Sequence, residues 1–184
     1  MGRMTETTTA FALGDRVPAF VLPDTEGAEH RVPADDGPAA TVLVVTCNHC
    51  PYVIAWNPRL RAAAQDYAPR GVRFLAINPN DAERYPADSL EHMRRFVREQ
   101  DWPIPYLHDA SQEVARALGA ERTPQVFVLD EQHRLVYRGA PDGDHEDPTQ
   151  DAVWLRDALD AVLEGRPVER ADTPPRGCSV KWKL

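Results

Sequence analysis

Apolar residues recur along the chain with two different periods, and together they predict alternating strands and helices. Residues 41–46, 72–77 and 125–129 are short apolar runs, mostly rich in β-branched side chains, as expected of strands buried on both faces. Three other stretches have apolar residues three or four positions apart, and they begin near residues 51, 88 and 148. That spacing is typical of a helix with one buried side.

Turn residues between these elements indicate how they connect. Residues 23–27 predict a hairpin loop between two short N-terminal strands, and residues 130–134 predict a second hairpin. The order of elements predicts an α/β fold with a central mixed β-sheet, helices on both faces and an N-terminal β-hairpin extension. We expect a disordered tail over residues 1–10, one domain over 11–165, and a C-terminal tail over 166–184 that packs on the domain.

Three local signals predict where helices begin and bend. Asp88 is expected to cap a helix, with Glu91 completing a capping box. Asp147 is expected to cap the last helix, with Pro148 in its first position. Pro58 lies inside the helix that starts near residue 51, where it is expected to kink or split that helix.

Composition narrows the classes of function. The chain has 184 residues and a net charge of −8, so it suits a single domain and lacks the clustered basic patch of a nucleic-acid surface. No apolar run reaches membrane-spanning length, and the first ten residues lack the apolar core of a signal peptide. Three cysteines do not make a disulfide scaffold. We therefore expect a cytoplasmic protein that binds neither nucleic acid nor membrane.

Two cysteines two residues apart stand where the strand pattern changes to a helical one. The motif is Cys47-Asn48-His49-Cys50-Pro51. At a helix N-terminus, free backbone N–H groups and the positive end of the dipole favour a thiolate. A proline in the first turn loses no helical hydrogen bond. The motif therefore predicts a redox-active dithiol.

Three other roles for these cysteines stay open on the sequence alone. In a zinc site, His49 would join the pair, with His30, His108 or Cys178 completing the ligand set. A structural disulfide is less consistent with the spacing, because such bridges usually close longer loops. Two buried cysteines acting as small hydrophobes would leave the intervening Asn-His and the following proline unexplained.

Several stretches resemble one superfamily. A CxxC that opens a helix, together with Arg122-Thr123-Pro124 before a strand, resembles the thioredoxin fold. Residues 13–24 resemble the start of the alkyl hydroperoxide reductase/thiol-specific antioxidant, or peroxiredoxin-like, redoxins. Residues 47–53 (CNHCPYV) and 177–182 (GCSVKW) resemble one subgroup of them. The resemblance spans about residues 11–182 and implies a thioredoxin-like fold.

The resemblance also implies a thiol–disulfide oxidoreductase that needs no cofactor or metal. Its partners would be protein or low-molecular-weight disulfides and thiols, or peroxides. Cys47 would attack as the more exposed thiolate with a lowered pKa, and Cys50 would resolve the mixed disulfide. His49 would stabilise the thiolate as a cationic neighbour. Thr123 and a cis Pro124 beside Cys47 would bind the substrate backbone.

Two departures from the parent families keep other functions open. Peroxiredoxins carry a threonine three residues before the peroxidatic cysteine, and here that position relative to Cys50 is Cys47. Thioredoxins proper keep an acidic residue in the strand before the motif, and residues 39–46 contain none. The alternatives are a thiol peroxidase with Cys50 as the peroxidatic sulfur and Arg122 stabilising the leaving oxygen, and a non-catalytic binding module.

The third cysteine, Cys178, lies in the tail. Apolar residues alternate after it, which predicts an edge strand packed on the domain, and Gly177 permits a close backbone approach. A lone buried cysteine can be simple filler. The alternative prediction is that Cys178 reaches the motif and forms a disulfide with Cys47 or Cys50 as a second resolving thiol. No pattern predicts an oligomeric state.

Overall fold

Strands and helices alternate along the chain in a computed structural model that describes residues 10–184. The predicted disordered tail therefore lies outside the described residues, except for Ala10. The strands are β1 (Phe20–Pro23), β2 (Glu29–Val32), β3 (Ala40–Val45), β4 (Val72–Asn78), β5 (Tyr106–His108), β6 (Arg122–Thr123), β7 (Gln125–Leu129), β8 (Leu135–Gly139) and β9 (Cys178–Ser179). The α-helices are α1 (Pro51–Tyr67), α2 (Leu90–Gln100), α3 (Glu113–Leu118) and α4 (Val153–Leu163).

Five strands form the central sheet, in the spatial order β5-β4-β3-β7-β8. β3, β4 and β5 run parallel, whereas β7 is antiparallel to both β3 and β8. β3 lies in the middle and is buried at every position, which explains its nearly continuous apolar sequence. Because β3 leads directly to Cys47, the CxxC motif lies at one end of the centre of the sheet.

Helices cover both faces of the sheet. Along β3, Val42 and Val44 belong to the core cluster that includes α1, α2 and α4. Leu43 and Val45 belong to the second cluster, which includes α3 and the hairpin formed by β1 and β2. The residues alternate because neighbouring side chains of a strand point to opposite faces. The predicted mixed sheet with helices on both faces and an N-terminal hairpin is confirmed. No helix within residues 10–184 is long and apolar enough to cross a membrane.

Helix α1 runs unbroken through Pro58, so of the predicted kink or split the split is wrong, and the kink stays a prediction. The proline lacks an N–H and therefore removes one backbone hydrogen bond to the preceding turn. Trp56 and Leu60 lie on either side of it and are fully buried against the sheet. Tertiary packing of both halves outweighs the missing hydrogen bond.

Helix α2 begins one residue later than the capping signal predicts. Its N-cap is Ser89, whose Oγ accepts a hydrogen bond from the backbone N–H of His92. Asp88 is not the cap: its side chain is turned inward and is only 7% exposed. The prediction for Asp88 is wrong because polar partners inside the protein compete with the helix end for its carboxylate.

Helix α4 begins later than predicted as well. Asp147 caps only a short 3₁₀ turn (Pro148–Gln150) by accepting a hydrogen bond from the N–H of Thr149. Asp151 and Ala152 then adopt positive φ angles of 51° and 52°, which a right-handed helix does not permit. The predicted single helix is therefore divided, and α4 starts at Val153.

A buried ion pair joins α1 to the loop that follows β8. Arg59 Nη1 lies 2.9 Å from Asp142 Oδ2, and the two side chains are 5% and 0% exposed. Asp142 also accepts hydrogen bonds from Trp56 Nε1 and from the backbone N–H of Ala152, each at 2.9 Å. Arg59 donates to two carbonyl groups of the loop. Because the buried charges are both paired and hydrogen-bonded, the network holds the loop beside α1.

Candidate functional site

The two motif cysteines lie between the end of β3 and the start of α1. Pro51 is the first residue of α1, and Cys50 is its N-cap. The cysteines are equally buried, with 5% of each residue exposed, and both are free thiols. The strand-to-helix junction predicted from the sequence is therefore observed, but the prediction that Cys47 is the more exposed sulfur is wrong.

The residue before Pro124 touches both sulfurs. The Sγ of Cys47 lies 3.5 Å from the hydroxyl oxygen of Thr123, and the Cys50 thiol donates to the Thr123 carbonyl oxygen at 3.4 Å. The Thr123–Pro124 peptide bond is cis, which confirms that prediction. The structure thus brings together two segments that are more than seventy residues apart.

The two sulfurs affect each other's acidity in opposite directions. The hydrogen bond between them is the largest cause: it raises the pKa of Cys47, the donor, and lowers the pKa of Cys50, the acceptor. Burial opposes the charge on both. Backbone N–H groups of Val53 and Cys178 further favour the Cys50 thiolate, whereas the nearby Asp88 disfavours charge on Cys47. The prediction of a lowered pKa at Cys47 is wrong, because the hydrogen bond with Cys50 and burial both raise that pKa.

Asp88 is a site residue that the sequence pattern did not reveal. Its Oδ1 accepts hydrogen bonds from the backbone N–H of Asn48 at 2.8 Å and from Asn78 Nδ2 at 3.1 Å. Its Oδ2 accepts one from Asn80 Nδ2 at 3.0 Å. The carboxylate therefore lies beneath the CxxC loop and anchors it. The only sequence signal was the run of polar residues directly after the buried strand β4.

Tyr106 completes this polar network. Its hydroxyl donates to Asn48 Oδ1 at 2.7 Å and accepts a hydrogen bond from Asn78 Nδ2 at 3.1 Å. Burial raises the pKa of Tyr106 well above its ordinary value, and the nearby Cys47 and Asp88 add to the shift. Tyr106 therefore stays a neutral hydrogen-bond donor to the motif loop.

His49 lies outside the cluster of sulfurs. It is exposed, and it lines a groove of about 710 Å³ between α1 and α2 together with Ile54, Arg61 and Arg95. Each pKa shift of the two cysteines is dominated by the partner sulfur. The role of His49 in stabilising a thiolate stays a prediction. Arg122, the candidate for stabilising a peroxide oxygen, is also exposed.

The tail brings Cys178 to the site. Cys178 packs against the small cluster formed by Cys47, Cys50 and Val53. It lies in β9, which pairs antiparallel with β6 so that Cys178 is opposite Thr123. The edge predicted to bind a substrate backbone is thus occupied by the chain's own tail.

The described residues contain no group of three or more His, Cys, Asp and Glu side chains arranged to hold a metal ion. Of the candidate zinc ligands, His30 instead binds Asp24 through Nε2 at 2.8 Å. The pKa of His108 is lowered by burial. The site of this chain is therefore a cluster of three thiols over a network of neutral polar groups and one carboxylate.

Comparison with known proteins places this chain in a family. A family model described as Redoxin matches residues 12–153. The chain belongs to the Redoxin family. Solved proteins of 19–22% identity share its thioredoxin-like fold at TM-scores of 0.65–0.69.

Three individual proteins illustrate the likeness. The crystal structure of an uncharacterized conserved protein from Geobacillus kaustophilus is 43% identical, with a TM-score of 0.87 over 95% of this chain and 94% of that chain. The thiol-disulfide oxidoreductase ResA of Geobacillus thermodenitrificans is 26% identical over 129 residues, which cover 69% of this chain and 68% of ResA. The peroxidoxin BcpB of Mycobacterium tuberculosis has 21% identity and a TM-score of 0.62, covering 83% of this chain and 96% of BcpB, and shares the fold.

Proposed function

We propose that this redoxin is a thiol–disulfide oxidoreductase that cycles Cys47 and Cys50 between a dithiol and a disulfide. The observation that carries the proposal is the geometry of the pair: both sulfurs lie at the junction of β3 and α1 in contact with Thr123, and Cys50 is the N-cap of the helix, a position that favours a thiolate. A thiolate is the nucleophile of disulfide exchange. The likeness to a thiol-disulfide oxidoreductase supports the same chemistry.

The exchange proceeds in two steps. The Cys50 thiolate attacks one sulfur of the substrate disulfide, and the other substrate sulfur leaves as a thiolate that takes up the proton of Cys47. The Cys47 thiolate then attacks the Cys50 sulfur, which forms the Cys47–Cys50 disulfide and releases the second substrate sulfur. The substrate gains two electrons, and the cysteine pair loses two. The N-cap position of Cys50 and its lowered pKa favour this sulfur as the attacking one, in place of Cys47.

The substrate would approach through the groove between α1 and α2. This groove reaches the motif at Asn48 and His49, and the exposed Ile54 lies on its wall. The opposite approach, along the edge at Thr123, is covered by the tail. Protein or low-molecular-weight disulfides are the proposed substrates. A cytoplasmic location, where cellular reductants keep such a pair reduced, is part of the proposal. We also propose that the chain belongs to the subgroup with the CNHCPYV motif and the GCSVKW tail.

One observation favours a second candidate function, a thiol peroxidase. Cys50 is the N-cap of α1 and its pKa is lowered, which favours the thiolate that a peroxidatic sulfur needs. The Cys50 thiolate would attack the outer oxygen of a hydroperoxide, giving a sulfenic acid and an alcohol once the leaving oxygen is protonated. Cys47 would then attack the Cys50 sulfur, forming the disulfide and releasing water. The missing threonine and the exposed Arg122 make this the weaker candidate.

Parallel assays separate the two candidates. Reduction of insulin and of a glutathione mixed disulfide is measured beside consumption of hydrogen peroxide, all with dithiothreitol as the reductant. We expect wild-type protein to accelerate disulfide reduction, and Cys47→Ser and Cys50→Ser to lose that activity. The rate of hydrogen peroxide consumption per thiol is expected to match that of an ordinary free thiol, with no acceleration by the protein. Faster peroxide consumption without disulfide reduction would establish the second candidate, and activity in neither assay would overturn both.

A further inference from the structure

The C-terminal tail occupies a strand edge of the active site. β9 pairs with β6, and the N–H of Val180 donates to the carbonyl of Glu121 at 3.1 Å. An unpaired strand edge is where an extended peptide can add itself to a protein through backbone hydrogen bonds. Here residues 178–180 of the same chain fill that role.

Gly177 allows the tail to come this close. A Cβ atom at this position would lie 2.0 Å from the carbonyl oxygen of Thr123 and 2.7 Å from its carbonyl carbon. Both atoms belong to the backbone, so they cannot turn away. The contact therefore requires glycine immediately before Cys178.

Hydrogen bonds to residues of the domain hold the part of the tail that follows Cys178. The N–H of Lys181 donates to Asn80 Oδ1, and the Lys181 carbonyl accepts hydrogen bonds from the N–H of Asp81 and from Gln112 Nε2, all at 2.9 Å. Val180 is only 4% exposed and belongs to the core. The tail is thus anchored both before and after its cysteine, which fixes where that cysteine lies.

The result is a cluster of the three cysteines. Cys47 is the partner of Cys50 in the motif, and Cys178 packs against the pair. Thr123 contacts the sulfurs of Cys47 and Cys50 and is the ladder partner of Cys178. The Cys178 thiol and backbone N–H both lower the pKa of Cys50. Cys50 therefore has a second thiol next to it besides that of the CxxC motif.

We propose that Cys178 is a third redox-active thiol that forms a disulfide with Cys50. In the step that follows substrate reduction, the Cys178 thiolate attacks the Cys50 sulfur of the Cys47–Cys50 disulfide. The Cys50–Cys178 bond forms, the Cys47–Cys50 bond breaks, and Cys47 leaves as a thiolate that takes up the proton lost by Cys178. The exchange needs no further oxidant, because Cys178 is oxidised as Cys47 is reduced. This proposal rests on the proposed function, because that function forms the Cys47–Cys50 disulfide with which the exchange begins.

Disulfide mapping tests the proposal directly. Reduced wild-type protein and the Cys47→Ser and Cys178→Ser variants are equilibrated with oxidised glutathione, quenched with acid and alkylated, and the monomer is digested without reduction for mass spectrometry. We expect a Cys50–Cys178 peptide pair in wild-type protein and as the main product in Cys47→Ser. If wild-type protein contains only the Cys47–Cys50 bridge and Cys47→Ser stops at a glutathione adduct of Cys50, the proposal is overturned.

A variant that keeps all three thiols tests the part played by the docked tail. Gly177→Ala is expected to reduce the yield of the Cys50–Cys178 bridge at least tenfold, while the Cys47–Cys50 bridge still forms. Gly27→Ala is the matched control, since Gly27 also has a positive φ, of 84°, but has no atom within 4 Å of an added Cβ. An unchanged yield in Gly177→Ala would count against the docked geometry as the cause of the bridge.

The same samples keep the two proposals distinguishable. Insulin reduction by wild-type protein, and its loss in Cys47→Ser and Cys50→Ser, report on the proposed function. Absence of the Cys50–Cys178 bridge from wild-type protein and from Cys47→Ser, with intact insulin reduction by wild-type protein, overturns only the role of Cys178. Failure of wild-type protein to form either disulfide and to reduce insulin overturns the proposed function.

Discussion

The carboxylate of Asp88 binds the backbone N–H of Asn48, inside the CxxC motif, at 2.8 Å. Through Asn80 the same carboxylate is connected to the tail, because Asn80 Nδ2 donates to Asp88 and Asn80 Oδ1 accepts the N–H of Lys181. One buried charge therefore supports both the motif loop and the segment that carries Cys178.

Asp88→Asn is expected to weaken this support. Asn78 Nδ2 and Asn80 Nδ2 donate to different oxygens of Asp88, and the NH₂ group of an asparagine would replace one of these acceptors. Because one buried donor then loses its acceptor, we expect the free energy of unfolding to fall by about 1–3 kcal/mol. Loss of the negative charge is also expected to lower the pKa of Cys47. Urea unfolding and the pH dependence of thiol alkylation measure the two effects. Asp157→Asn, at an exposed position, is the control and should change neither.

Cys50 is expected to be alkylated faster than Cys47 in the reduced protein. The sulfurs are equally buried, so the difference comes from the N-cap position of Cys50 and its lowered pKa. Brief iodoacetamide treatment at pH 6, followed by peptide mass spectrometry, gives the ratio of labelling. Preferential labelling of Cys47 would contradict the prediction and show that Cys47 is the thiolate and Cys50 the thiol.

His49→Gln is expected to change the reduction potential of the Cys47–Cys50 pair by less than about 30 mV, the shift that corresponds to about 1.4 kcal/mol. His49 is exposed, and water screens a charge at such a position. Equilibration with glutathione redox buffers measures the potential. A larger shift toward a more reducing value would instead support the sequence-based prediction that His49 stabilises a thiolate.

Asp142→Asn is expected to be strongly destabilising. It leaves the guanidinium of Arg59 buried without its charge partner, and breaking a buried ion pair in this way costs about 3–5 kcal/mol. Asp66→Asn is the matched comparison: Asp66 pairs with Arg156 at the surface, where such a pair contributes about 0–1 kcal/mol. Chemical unfolding of both variants gives the two values. Similar costs would mean that the buried pair contributes little beyond its packing.

Stability is expected to decrease as the pH falls below about 6.5, and His133 is one cause. Burial, and next the charge of Arg16, lower the pKa of His133 in the folded protein. The folded state then binds a proton more weakly than the unfolded chain, so stability is lost as pH falls from the ordinary pKa toward the lowered one. His133→Asn keeps a residue that tolerates the positive φ of 61° and removes the titration. Its unfolding free energy should differ less between pH 7.5 and pH 5.5 than that of wild-type protein; an equal difference would exclude His133 as a contributor.

Local sequence patterns determined the architecture of this protein. The apolar run of β3, the CxxC that follows it and the helical spacing of α1 are features of neighbouring residues, so they predict a strand, a motif and a helix without knowledge of the rest. The same holds for the N-terminal hairpin and for the order of the strands and helices. Hydrophobic periodicity reports which side of an element is buried, and that is enough to predict a mixed sheet with helices on both faces.

Tertiary structure alone decided what surrounds the site residues. Asp88 has the sequence context of a helix cap, yet it binds Asn48 and Asn80 because the fold brings these partners within hydrogen-bond distance. The equal burial of Cys47 and Cys50, and the place of Cys178 beside them, depend on a tail that pairs with β6 more than fifty residues away in sequence. Acidity and exposure are set by every group that surrounds an atom in space, whereas local sequence patterns describe only the residues that are neighbours along the chain.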